Sequence, residues 1–118
     1  MAMIDALLVG MGGATGAVLR YLVGLVVGPR SEFPLETLTV NVLGSFALGW
    51  VTFAGVGERP ALLVGVGACG AFTTFSSFSV DTVRLVEDER EALAGVYALS
   101  NLLLSVGAVL VGALVATV

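Results

Sequence analysis

Two aromatic rings, a run of hydroxyls and two amides carry what chemistry this chain holds. Phe75 and Phe78 stand at i, i+3, and Ser79 lies at i+4 from Phe75, so a helix sets all three on one face. An aromatic ring is negative on its face and positive at its edge. Ring edges beside O–H donors could therefore meet a small anion, and the same spacing fits two rings that pack together or face lipid. Thr37, Asn41 and Ser45 recur every four residues, as do Tyr97, Asn101 and Ser105. A carboxamide brings two donors and an acceptor, and leaving it alone in an apolar medium is costly. Each stripe thus lines a polar path or makes hydrogen bonds between helices. None of these residues is acidic or basic, so no proton relay is built from them.

Catalysis is poorly served. The chain has no histidine and no lysine, which removes the usual general base and the commonest metal ligand. No nucleophile–base pair stands out, so an enzyme is not expected. The single cysteine, Cys69, cannot close an internal disulfide. A net charge of −4 argues against nucleic acid as a partner, because phosphate binding needs basic surface.

The elements that must position these residues are apolar helices. Of the 118 residues 58% are apolar and only 12% charged, about half the charged share of an ordinary globular protein. Five arginines and nine acids cannot cover a water-facing surface, so lipid is the expected solvent. Four apolar segments, at about residues 6–28, 35–55, 61–85 and 92–118, are each long enough for a span of roughly 20 helical residues. Pro29, Arg30, Ser31, Glu32 and Pro34 form a polar connection after the first, and Gly57, Glu58, Arg59 and Pro60 close the second. Glu87 to Glu91 reads as a solvated loop. Residues 1–118 are therefore predicted to form a single all-α integral membrane domain. Asp5 stands where a cleavable signal would be positive, so the first segment reads as a retained span. Gly12 and Gly16, Gly24 and Gly28, and Ser45 and Gly49 follow the small-xxx-small spacing of tight helix packing. The second loop carries only Arg59, and the opposite side Arg30 and Arg90 with Arg20 and Arg84 nearer the span ends, so from such small numbers the positive-inside rule gives only a weak orientation.

The third segment departs from an ordinary span. Gly65, Gly67 and Gly70 precede adjacent threonines at 73 and 74, which predicts a break near residues 70–74. Broken membrane helices expose carbonyls from one half, suited to a cation, and N–H groups from the other, suited to an anion. Arg20 lies within the first span, where a charge must face protein or water. It either draws anions to a vestibule or snorkels and pairs with Asp81 or a terminal acid.

Three stretches carry a resemblance to a known family. The run Gly12-Gly13-Ala14-Thr15-Gly16-Ala17-Val18-Leu19-Arg20-Tyr21 resembles the first-helix motif of the Fluc/CrcB fluoride channels. Thr37 to Phe46 resembles their second-helix motif, and Gly70-Ala71-Phe72-Thr73-Thr74-Phe75-Ser76-Ser77-Phe78-Ser79 their third-helix signature. The motifs occur in order, and the four-span layout covers essentially the whole chain. Asp81 stands where many relatives carry glutamate, Ala71 where many have glycine, and Ser77 replaces a common threonine.

The resemblance implies a fluoride-selective passive channel in the plasma membrane, exporting fluoride down its electrochemical gradient and conferring fluoride resistance. It implies an antiparallel, dual-topology homodimer with two pores and a structural Na+ at the dimer centre. By position, backbone carbonyls of Gly70 and Thr73 would hold the Na+. Phe75 and Phe78 would be the pore rings, Asn41 the pore amide, and Thr74, Ser76 and Ser79 the nearby hydroxyls. Tyr97 and Asn101 match a polar track on the fourth helix, and Arg20 the arginine that closes the first motif. A heterodimer of related chains is the alternative assembly. A proton-coupled exporter of the small multidrug resistance type is the competing function, but it needs a carboxylate within a span, and only Asp5 and Asp81 come near one.

Overall fold

The computed structural model describes residues 2–28 and 32–118, and among these every regular element is helical. We label them α1 (Ala2–Val27), α2 (Leu35–Phe53), α3 (residues 58–72), α4 (Phe75–Glu87) and α5 (Glu91–Thr117). Within α3, Ala61–Cys69 is wound as a π-helix with i→i+5 bonding. Pro29, Arg30 and Ser31 of the expected first connection lie outside the described residues.

Three helical runs, Ala2–Val27, Glu58–Glu87 and Glu91–Thr117, are long and apolar enough to cross a membrane. At 1.5 Å per residue the 26 residues of α1 and the 27 of α5 each reach about 40 Å, more than the roughly 30 Å of a bilayer core. α2 has 19 residues and is less apolar, because Glu36, Asn41, Ser45 and three threonines interrupt its hydrocarbon face. The run Glu58–Glu87 is bent. Thr73 (φ −78°, ψ 163°) and Thr74 (φ −151°, ψ 118°) are extended, so α3 stops at Phe72 and α4 restarts at Phe75.

Two glycine seams hold the bundle together, α1 on α3 and α2 on α5. A Cβ on Gly12 would collide with the Leu63 carbonyl, and one on Gly16 with the Ala68 carbonyl. On the other seam, Gly49 lies against the Val109 carbonyl and Gly112 against the Phe46 carbonyl. Backbone approaches that close are how helices associate where lipid tails are as apolar as the side chains. The other expected packing pairs behave differently. Gly28 adopts φ +53° and ends α1 with its N–H on the Gly24 carbonyl, a left-handed cap rather than a contact. Gly24 faces the Glu36 side chain, and Ser45 lines a groove.

The outer surface is hydrocarbon. Leu7, Met11, Leu22, Leu25, Leu103, Leu110 and Leu114 are all exposed, a continuous apolar exterior that water would not tolerate. The buried core is small and lies toward the α4–α5 turn, where Leu85, Ala94 and Tyr97 pack with Phe33, Phe78 and Leu93. Glu87–Glu91 are exposed, as expected of the acidic turn. Arg90 nevertheless leaves that cluster to pair with Glu32 on the far connection.

The seams give a test. Gly16→Val or Gly49→Val should destabilise the detergent-solubilised protein by about 2 kcal/mol or more, the cost of overpacking. Gly10, which has open space around it, should accept alanine with no loss, and thermal unfolding of the three variants separates these outcomes.

Candidate functional site

The break between α3 and α4 organises the polar residues of the bundle. Thr74 is buried and extended, so its N–H has no helical partner in reach, while its C=O, at the N-cap of α4, opens that helix's own ladder. The Asn41 side chain of α2 bonds both groups. Its Oδ1 accepts from the Thr74 N–H at 2.8 Å and its Nδ2 donates to the Thr74 carbonyl at 3.1 Å. The same Nδ2 donates to Asn101 Oδ1 on α5 at 2.9 Å. Asn101 in turn reaches the Tyr97 carbonyl one turn back, at 3.4 Å. The Thr74 hydroxyl accepts from the Ser77 N–H at 3.0 Å, the N-cap that starts α4.

These bonds redirect the backbone. In a continuous helix the Thr74 and Ser77 amides would bond the carbonyls of Gly70 and Thr73, four residues back. Here they bond Asn41 Oδ1 and Thr74 Oγ1 instead. The carbonyls of Gly70 and Thr73 thereby lose their helical donors. Gly70 is exposed and a Cβ there would meet nothing within 4 Å. Carbonyl oxygens of this kind are hard, uncharged ligands suited to a hard cation. Thr73 is pinned to the end of α3 by its N–H and hydroxyl, both on the Cys69 carbonyl, at 3.1 and 2.9 Å.

A groove of about 780 Å³ runs alongside the break. Of the expected site residues it brings together Asn41, Gly70, Thr73, Thr74, Phe75, Phe78 and Asn101. Phe75 stands 79% exposed at its rim. Phe78 lies further in, its ring centroid 5.8 Å from that of Phe75 and 5.6 Å from that of Tyr97. Among the described residues, none that lines the groove is charged. Ser45 and Ser105 complete its polar floor, and the Ser105 Oγ is enclosed with no hydrogen-bond partner. Both belong to the four-residue stripes, a register that was visible in the sequence.

Other expected residues sit elsewhere. Tyr97 is fully buried behind Phe78, and its hydroxyl donates to Asp81 Oδ2 at 3.1 Å. The Ser79 hydroxyl turns back to the Phe75 carbonyl at 2.9 Å, while Ser76 is exposed. Arg20 lines a second, smaller recess of about 290 Å³ with Glu36, Thr37, Thr74 and Ser77. Thr74 therefore faces both recesses. Among the described residues Arg20 makes no ion pair. Asp81, one of its candidate partners, instead accepts from Thr37 Oγ1 at 2.7 Å and from Tyr97. This hydroxyl–carboxylate knot ties α2, α4 and α5 together beside Phe78.

The family model described as CrcB-like protein, Camphor Resistance (CrcB), matches residues 7–113. The chain belongs to this family. Among curated relatives, the fluoride-specific ion channel FluC 2 of Haloarcula marismortui is 62% identical over 103 residues, 86% of this chain and 85% of that protein. The fluoride-specific ion channel FluC 1 of Halobacterium salinarum is 55% identical over 98 residues, 83% and 82% of the two chains. The fluoride-specific ion channel FluC of Thermotoga maritima is 45% identical over 111 residues, 87% of each. Family membership and three long apolar helices make this a multi-pass membrane protein.

The cap at the break is open to test. Thr74→Val removes the acceptor that starts α4 and should destabilise the fold by about 1 kcal/mol, whereas Thr74→Ser should hold within a few tenths. Chemical unfolding of the two variants in the same detergent distinguishes a capping hydroxyl from a merely buried one.

Proposed function

We propose that this chain forms a fluoride-selective passive channel in the plasma membrane, and not an enzyme, exporting fluoride down its electrochemical gradient and conferring fluoride resistance. The observation that carries this reading is the 62% identity, across 86% of the chain, to a protein named as a fluoride-specific ion channel. The groove fits the chemistry. Fluoride holds its water strongly, so a pore must replace hydration with close donors that do not trap the ion. Ring edges at Phe75 and Phe78, with hydroxyl and amide groups at Thr74 and Asn101, offer such contacts without a fixed positive charge, and Asn41, the expected pore amide, lines the same groove with its donors turned to Thr74 and Asn101. Ser76, Ser79 and Tyr97 flank this path, and Arg20 with Ser77 marks a vestibule on the other side of Thr74.

The functional unit in this reading is an antiparallel, dual-topology homodimer of four-span chains. A second copy closes the open side of the groove, where Phe75 is exposed. With only five arginines the orientation preference is weak, which is compatible with insertion in both orientations. Gly70 and Thr73, freed from the helical ladder, would hold Na+ through their carbonyls at the dimer centre. The ion would supply positive charge that ties two backbones together where no side chain does so.

Purified protein in liposomes should release fluoride rapidly, recorded by a fluoride electrode, with chloride retained in parallel vesicles. Phe75→Ile and Phe78→Ile should each slow fluoride loss by roughly fivefold, since ring-edge contacts contribute about 1 kcal/mol and about 1.4 kcal/mol is a factor of ten. Folded wild-type protein that releases no fluoride would sink the reading.

A further inference from the structure

We infer that Asn41 is the positioning residue that opens the break and presents the Gly70 carbonyl, rather than only a donor to the passing ion. The inference rests on the reading that Gly70 and Thr73 take Na+. A carboxamide has two N–H donors and one acceptor oxygen, and the structure gives all of them partners inside the chain. Oδ1 takes the Thr74 N–H, while Nδ2 serves the Thr74 carbonyl and Asn101 Oδ1. Turning the amide over would set Nδ2 against the Thr74 N–H, donor to donor, so its orientation is fixed by its partners.

Asn41 bonds both the N–H and the C=O of one extended residue. This is the exchange that a neighbouring strand residue makes in an antiparallel ladder. A side chain thus stands in for a strand at a place where no strand exists. The service is needed because Thr74 is only 8% exposed, and a buried backbone amide without a partner is expensive. With Asn41 removed, the nearest way to satisfy the Thr74 N–H is to continue the helix onto the Gly70 carbonyl. That bond would consume the oxygen the cation needs. Asn101, which touches Asn41 but not the break, has no such hold on Gly70.

The readout is sodium-dependent thermal unfolding in detergent, with Na+ titrated against N-methylglucamine at constant ionic strength. Wild type should gain stability as Na+ is added. Asn41→Leu should need about tenfold more Na+ or greater for the same gain, the usual effect of losing an outer-shell partner of a metal site. Asn41→Asp keeps the acceptor for the Thr74 N–H, though it loses the donor to the Thr74 carbonyl and Asn101 Oδ1, and Asn101→Leu leaves the Asn41–Thr74 pair intact. Both should stay within about threefold of wild type, because the Thr74 N–H is still held off the Gly70 carbonyl. A folded Asn41→Leu protein with the wild-type sodium response overturns the inference. If that variant does not fold, loss of the response in folded Asn41→Asp overturns it equally, and retention supports it. Absence of any sodium response in wild type would instead remove the sodium site itself, which separates failure of the inference from failure of the reading beneath it.

Discussion

A helix interrupted inside an apolar layer leaves backbone donors and acceptors that no solvent will satisfy, and this chain answers that constraint with one amide. Thr74 interrupts the run Glu58–Glu87, and Asn41 pairs with both of its backbone groups. Much else follows from that pairing. α2 must run beside the break, and the polar residues that accompany Asn41 make α2 the least apolar of the long helices. α5 must bring Asn101 to the same point to engage the remaining Asn41 donor. The Gly49 and Gly112 contacts let α2 and α5 approach closely enough for two short amides to touch.

The same arrangement explains why the site is polar without being charged. Asp81 is the one carboxylate drawn in among the helices at this level, and the hydroxyls of Thr37 and Tyr97 occupy its Oδ2. It lies outside the groove beside Phe78. A proton-coupled exporter would need such a group exposed to its substrate, whereas this one is engaged in holding three helices. The knot also fixes Tyr97 beneath Phe78, so the inner ring rests on a surface that cannot easily shift.

Much of this was legible in the sequence, and the limits of what was legible are physical. Helical periodicity reports which residues share a face, and the stripes on α2 and α5 do line one groove at Asn41, Ser45, Asn101 and Ser105. Glycines ahead of paired threonines reported the break, because they weaken the helix locally. Spacing does not report what a face meets. The Asn41 bonds join residues 33 and 60 positions apart, a distance at which no local pattern carries information. Ser79 looked like a free donor and is instead bonded to the Phe75 carbonyl, an intrahelical option open to any serine in a helix. Gly28 has packing spacing from Gly24, yet a glycine at a helix end is equally a left-handed cap, and only the backbone dihedral separates the two. The partners of Asp81 were hidden for the same reason as those of Asn41.

One imbalance remains in the single chain and points outward. Its lipid-facing surfaces are leucine, valine and alanine, but the groove sets amide and hydroxyl groups behind an open side edged by Phe75 and Leu102. Hydrocarbon cannot hydrogen-bond that floor, and irregular backbone at membrane depth persists only against protein or a water-filled cavity. Bare lipid therefore suits the outer faces of α1 and α5 and does not suit the groove. A second protein surface against the groove, as proposed above, would resolve the mismatch. On that proposal the polar floor and the freed carbonyls answer a single requirement: an ion path whose far wall the chain does not itself contain.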